Sequence, residues 1–409
     1  KRVFVNLEDP VITEMKPDQD IRVKSGDIVE VSFKSQSQGG QASFKIALPY
    51  MVDRTSKIPM EEIEGGYYKG FWQVTENLNL DKALVEFELT DIYGNKTTAI
   101  APGTISIEQI DPSVERLAGG NRYSTGVEIS KKAYEEADTV ILVSGDTFPD
   151  ALSGTPLAEI YKAPILLTEK DQVPSYVLDE IERLGANKVI LLGGDLVISK
   201  AVEDQLGDYE IERITGGNRN VTAVNIGERV IEETNSKSLV LVNGHNFPDG
   251  LSVGSPAAIN GSPILFTEVD LLPSESLAAI ERWEIEEITI VGGHLVVSEE
   301  VEDQLVDLGY EVSRISGGNR YISALQVAEN MFEVPDTVII ASGENFPDAL
   351  AGGPLAAKLD APVLLVEKDE IRDEVLDYLK ANGVVNVIVL GGEIVISDHV
   401  VREIENVIK

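Results

Sequence analysis

The side chains best equipped for chemistry in this sequence come in sets of three. R-x-x-G-G-N-R occurs as RLAGGNR from Arg116, RITGGNR from Arg213 and RISGGNR from Arg314. Each copy supplies two guanidinium forks: Arg116 and Arg122, Arg213 and Arg219, Arg314 and Arg320. Such forks bind phosphate or carboxylate groups of an anionic polymer through paired hydrogen bonds. They could equally pair with acids of a neighbouring segment and lock the copies together. A second motif, F-P-D-[AG]-L, begins at Phe148, Phe247 and Phe346. Here Thr147, Asn246 and Asn345 are placed to cap a helix whose first turn holds Pro149, Pro248 and Pro347. Asp150, Asp249 and Asp348 would then complete a variant of the capping box, and a ligand-holding role for these acids is the alternative.

A third mark is an apolar run ending in Gly-Gly: Gly193 and Gly194, Gly292 and Gly293, Gly391 and Gly392. It reads either as a tight turn needing φ > 0 or as a nest of backbone amides at the C-terminal edge of an open sheet, where such sheets bind ligands. The pair is not G-x-G-x-x-G and no ribose-binding acid follows at a fitting distance, so dinucleotide binding is disfavoured.

These marks recur in the same order, the second and third at intervals of 99 residues. Three homologous modules follow, 113–212, 213–313 and 314–409, with residues 1–112 outside the repeat. The period is too long for solenoid units of about 20–50 residues, so each module is a compact unit. In the first, TVILVSG (139–145), PILLTE (164–169) and KVILLGG (188–194) are short runs rich in branched residues. They alternate with STGVEISKKAYEEA, FPDALSGTPLAEIYK and PSYVLDEIERLG, and YEIERI leads into the next copy. Apolar on successive residues, the runs suit parallel strands covered on both faces. The class is α/β, three Rossmann-like three-layer modules. Thr125 with Glu128 and Ser323 with Gln326 resemble capping boxes on the first helix, and Thr222 with Asn225 keeps part of that pattern.

Residues 1–112 alternate apolar and polar positions between Pro, Gly and Asp, from VFVNLEDP through ASFKIAL, YYKGFWQV, KALVEFELTD and KTTAI, with DIYGNK as a turn. Six or seven antiparallel strands in that length indicate an immunoglobulin-like β-sandwich, a spacer or presenting domain.

Composition narrows the function. With 409 residues, 43% hydrophobic and 25% charged, the chain can build large cores. Seventy acidic against 34 basic residues give a net charge of −36, which disfavours nucleic acid and anionic membranes as partners. There is no cysteine, hence no disulfide or thiolate chemistry. No apolar run reaches the length of a membrane span. The opening KRVFVNLEDP lacks an initiator Met and a signal-peptide pattern, as a mature or trimmed chain would. The three histidines, His245, His294 and His399, do not recur between modules, as a repeated active site would require, and read as surface substitutions. No G-x-S-x-G, H-E-x-x-H, P-loop or EF-hand loop is present. The chain is expected not to be an enzyme, and no cofactor is implied.

The run RLAGGNRYSTGVEIS…SGDTFPDALSGTPLAEIYKAPILLTE…VILLGGDLVIS resembles the type 2 cell-wall-binding repeat of Gram-positive bacteria, across residues 114–409. That resemblance implies modules packed about a pseudo-threefold axis that anchor a secreted protein non-covalently to anionic secondary wall polymer, outside the cell. It also implicates the strand end at Pro164, Leu166 and Leu167 and the Gly-Gly loops in polymer contact. The second module departs from the pattern, with Asn220 for Tyr123 and Tyr321 and Gly250 for Ala151 and Ala349, and its proline is shifted in LSVGSPAAING. An anionic polymer and a strongly negative protein meet through a local arginine groove, through bridging divalent cations, or through hydrogen bonds and apolar sugar faces. Rival readings are a self-assembling surface-layer protein and a non-catalytic fragment of a wall-associated hydrolase.

Overall fold

The computed structural model describes residues 8–24, 26–47, 57–74, 80–107 and 111–409. The chain divides into two compact units, Lys1–Asp111 and Pro112–Lys409.

Eight strands are present among the described residues of the first unit. They are Ile12–Lys16, Ile21–Val23, Ile28–Ser35, Gln41–Ala47, Ile58–Glu64, Tyr67–Gln73, Ala83–Thr90 and Lys96–Ile107. Their hydrogen-bonded order is first, third, sixth, fifth, fourth, seventh, eighth, second. All the pairings are antiparallel except the last, where Ile21 lies beside Ile105 in a parallel pair. Alternation decides which face is buried: in Ala83–Thr90 every second side chain is in the core. Phe33 stacks on Tyr68 at 4.9 Å and meets the edge of Phe87 at 5.2 Å. Ile58–Glu64 is the strand that the alternation does not announce, since Met60 is its one buried side chain. DIYGNK is the turn expected, closed by the Asp91 carboxylate accepting from the backbone N–H groups of Tyr93 and Asn95. The start of the first expected strand, residues 3–7, lies outside the described residues.

The second unit contains three four-stranded sheets, each wholly parallel. The first runs Ile165–Thr168, Thr139–Ser144, Lys188–Leu192, Glu210–Ile214, and the second Ile264–Thr267, Ser238–Asn243, Glu287–Val291, Glu311–Ile315. The third is Val363–Val366, Thr337–Ser342, Asn386–Leu390, and its last strand is Ser113–Leu117, from the beginning of the unit. All six residues of Thr139–Ser144 are buried, as the unbroken apolar run requires of a strand with both faces covered. The folded module is thus offset by one strand from the sequence repeat: Arg213 and Arg314 end the sheets of the modules before them, and Arg116 ends that of the last.

Three helices meet at the centre, Gly154–Tyr161, Phe247–Ile259 and Pro347–Lys358, each packed on the other two. Close approach requires small residues there: a Cβ on Gly353 would lie 2.5 Å from the Thr155 hydroxyl. The Ser255 hydroxyl donates to the Ala361 carbonyl at 2.9 Å, tying the second module to the third. Lys358 of the third reaches the Ala133 carbonyl of the first. At one end of this bundle the rings of Phe148, Phe247 and Phe346 form a near-equilateral triangle, with centroids 5.6, 5.6 and 5.8 Å apart. Three modules therefore surround an approximate threefold axis.

Candidate functional site

The R-x-x-G-G-N-R motif folds as strand end, glycine turn and helix start. Its asparagine is the helix cap: Asn121 accepts from the N–H groups of Tyr123 and Ser124, Asn319 from Tyr321 and Ile322, and Asn218 from Val221. The capping boxes expected at Thr125, Thr222 and Ser323 do not form. These hydroxyls lie inside the helix and accept from Gly119, Gly216 and Gly317 at 3.1, 3.0 and 3.0 Å, fastening the glycine turn onto it.

The two arginines of each motif have different surroundings. The first clamps a Gly-Gly loop. Arg213 donates to the carbonyls of Gly193 and Ile198 at 2.8 and 3.0 Å and to Glu203. Arg314 does the same at Gly292, Val297 and Glu302. Arg116 does so at Gly391, Ile396 and Asp398. The second arginine, at the first helical position, donates to a glycine carbonyl at the end of its module's central strand: Arg122 to Gly145, Arg219 to Gly244, Arg320 to Gly343. It remains partly exposed, and the Arg320 guanidinium lies 5.6 Å from the Phe247 ring centroid.

Gly193, Gly292 and Gly391 have φ of +119°, +130° and +101°, a region that favours glycine. Their N–H groups donate to Ile214, Ile315 and Leu117. Those amides extend the ladder, so the tight-turn reading holds for the first glycine of each pair, whose amide is already engaged. The carbonyls of Gly194, Gly293 and Gly392 each accept two N–H groups of the turn that follows. Leu166 and Leu167 are wholly buried in the first sheet, and Pro164 is buried beside them. The surface contact expected of this strand end is corrected accordingly: a run buried on both faces offers nothing for a polymer to touch.

The F-P-D acids do not cap. Helices Pro149–Leu152, Phe247–Ile259 and Pro347–Lys358 all lack a side-chain cap bond. The carboxylates instead turn under the Gly-Gly loops, where a Cβ on Gly193, Gly292 or Gly391 would lie 2.8, 3.1 or 2.6 Å from Asp150, Asp249 or Asp348, with Val197 and Val296 nearer still at the first two. Burial raises all three pKa values, those of Asp249 and Asp348 to about 6. Each shift is opposed by an arginine of the next module: Arg219 for Asp150, Arg320 for Asp249 and Arg122 for Asp348. The Thr222 hydroxyl also bonds Asp150, whereas one oxygen of Asp348 is buried without a partner.

Acid and guanidinium therefore face each other across all three module boundaries, the last joining module three to module one. At the first boundary a cleft of about 730 Å³ opens between them. Phe148, Phe346, Leu196 and Val197 give it apolar walls, and Asp146, Asp195, Gly194, Thr215 and Asn218 line it with polar groups. Leu196, Leu295 and Ile394, equivalent by the repeat, are 86%, 93% and 86% exposed at the loop tips. The acids were expected at a ligand only as the alternative to capping and the phenylalanines not at all, although the F-P-D recurrence was the signal for both. Their common destination is set by the packing of one module on the next.

Three copies of one α/β module closed into a ring, with the same acid–guanidinium boundary made three times, define a repeat-built binding protein. The chain belongs to the cell wall binding domain 2 family, whose model matches residues 116–203, 213–302 and 314–401. It is 31% identical over 298 residues to the N-acetylmuramoyl-L-alanine amidase LytC of Bacillus subtilis, and 32% identical over 291 residues to the amidase enhancer of that organism. Those matches take in 72% and 70% of this chain but 59% and 40% of the relatives' lengths. Cwp6 and Cwp8 from Clostridium difficile share its fold. Each superposes with a TM-score of 0.66, at 22% and 20% identity, over 95% and 94% of this chain and 66% and 89% of theirs. The modules are wall-binding units, and no helix among the described residues is long and apolar enough to cross a membrane.

Proposed function

We propose that this protein is held on the outside of a bacterial cell non-covalently, by anionic wall polymer bound in the three inter-module clefts, and that it has no catalytic activity of its own. The observation that carries this reading is the threefold repetition of one boundary arrangement: a buried Asp, a half-exposed Arg, a cap asparagine and a shared phenylalanine triangle. Three such sites on one chain multiply weak contacts through effective concentration. Within this reading the modules are Rossmann-like and residues 1–112 form an immunoglobulin-like spacer. Modules 113–212, 213–313 and 314–409 each contribute faces to two clefts. Among the arginines, Arg122, Arg219 and Arg320 are the polymer-facing set, while Arg116, Arg213 and Arg314 hold the Gly-Gly loops that shape the clefts.

The experiment is sedimentation of the purified protein with Gram-positive cell walls, before and after hydrofluoric acid removes phosphodiester-linked polymer. Binding that disappears on stripping supports the proposal. Binding that survives assigns the ligand to peptidoglycan, and failure to pellet with native walls overturns the reading. A chelator then separates cation bridging from direct contact, and added salt weakens an arginine-borne interaction.

A further inference from the structure

Two of the three histidines stand where the sister modules carry acids. His245 takes the position of Asp146 and Glu344, just after the central strand, and His294 that of Asp195 and Glu393, just after Gly-Gly. In the first module both positions line the cleft, together with Asp150 and Arg219. Three carboxylates gather there; Asp146 also lies 3.7 Å from the Arg122 guanidinium and Asp195 3.6 Å from that of Arg213. By the repeat, Glu344 and Glu393 hold the same two positions in module three, whose Asp348 faces Arg122. In module two, whose Asp249 faces Arg320, imidazoles take those two positions in place of two fixed negative charges.

The substitution changes what each cleft can hold. Carboxylates accept hydrogen bonds from sugar hydroxyls and repel phosphate, while imidazole and guanidinium donate to an anion. The His245 side chain is 55% exposed, with its Nε2 2.8 Å from the Glu268 carboxylate and its backbone N–H donating to Asn243, so an incoming anion takes over the donor that Glu268 now accepts. Glu268 does not set this cleft apart, because Glu169 and Glu367 occupy the same position in the other modules. His294 is also exposed, beside the exposed Leu295.

We propose that the three clefts have divided the labour. The cleft between modules two and three takes the charged group of the polymer, a phosphodiester or a uronate, and the other two take its uncharged sugar units. This rests on the reading that the clefts hold wall polymer.

Three histidines give three imidazole signals by NMR, and His399, on the helix Asp398–Ile408 beside Glu403, serves as the internal control. Glycerophosphoglycerol and a methyl glucuronide are titrated separately into the full chain. Movement of the His245 and His294 signals with His399 unmoved is the expected result, and the probe that produces it identifies the anion. H245D/H294D, carrying the residues that module one already tolerates, should weaken that binding about tenfold or more. D146H/D195H should raise the stoichiometry from one anion per chain to two. If His245 and His294 do not move while the protein still pellets with walls, or if all three histidines move alike, the division of labour is overturned and wall binding stands. If the protein does not pellet, the underlying reading falls.

Discussion

The guanidinium of Arg116 donates to the carbonyl of Gly391 at 2.7 Å across 275 residues of chain. This contact fastens the opening strand of the second unit to its last sheet, closing the ring of modules. It repeats the bonds of Arg213 to Gly193 and of Arg314 to Gly292, made within each of the other two modules. A covalently continuous linkage thus has its counterpart in a non-covalent one at the third sheet.

Because Arg116 holds the short strand that completes the last sheet, R116A should lower stability by about 2–3 kcal/mol, as loss of charge-assisted hydrogen bonds does. R116K should not restore it, since an ammonium cannot reproduce the fork. A chain beginning at residue 118 should be weaker still, with the edge of Asn386–Leu390 uncovered. Urea unfolding compared across the three variants checks the order.

Asp249 and Asp348 make the second unit more stable toward mild acid. Both carboxyls are raised by burial to about 6, so the folded state binds these protons more tightly than the unfolded state. Their contribution is fully present below about pH 4 and is lost as pH rises through 6. D249N/D348N should therefore flatten the stability profile between pH 4 and 7. It should also gain on the order of 2 kcal/mol at pH 7 relative to the parent. Urea midpoints across that window supply the measurement, and an unchanged slope would contradict the assignment.

The phenylalanine triangle should be a shared element of stability and binding. Each ring contacts the two others, and aromatic pairs of this geometry contribute about 0.5–1.5 kcal/mol each beyond their buried area. F247A should cost about 2–4 kcal/mol in unfolding and reduce wall pelleting. Arg320, which rests over that ring, would lose its support as well.

Asn220 and Phe266 should behave as a coupled pair. Modules one and three pack Tyr123 and Tyr321 against Gly145 and Gly343, whereas in module two Phe266 lies nearest Gly244. Asn220 is left buried with its Oδ1 unpartnered. N220Y alone should overpack this site, and F266L alone should leave a void. Together they should recover the arrangement of the sister modules, giving a non-additive cycle of about 1–3 kcal/mol in thermal unfolding.

Much of the architecture is local and was readable in advance. TVILVSG, PILLTE, KVILLGG and YEIERI became the strands Thr139–Ser144, Ile165–Thr168, Lys188–Leu192 and Glu210–Ile214, because an unbroken branched run has few other destinations. The Gly-Gly turns were readable for a similar reason: few residues other than glycine adopt the positive φ found at Gly193. Helix caps were misplaced by a few residues, since Asn121, Thr125 and Ser124 all have capping chemistry and their geometry alone decides which one acts. Strand Ile58–Glu64 was missed because its partners, not its own pattern, hold it in place.

The sequence by itself determined three copies of an α/β module, their period and the residues that recur in each. Tertiary structure decided what those residues face. Asp150 lies far along the chain from Arg219, as Asp348 does from Arg122, and no local rule separates a capping acid from one turned beneath a glycine loop. Only the closing of three modules on one another brings each acid to the next module's arginine, and the opening strand to the last sheet. The reason is physical: hydrophobic runs and glycine turns act over a few residues, but a boundary between modules exists only once both of its faces have folded.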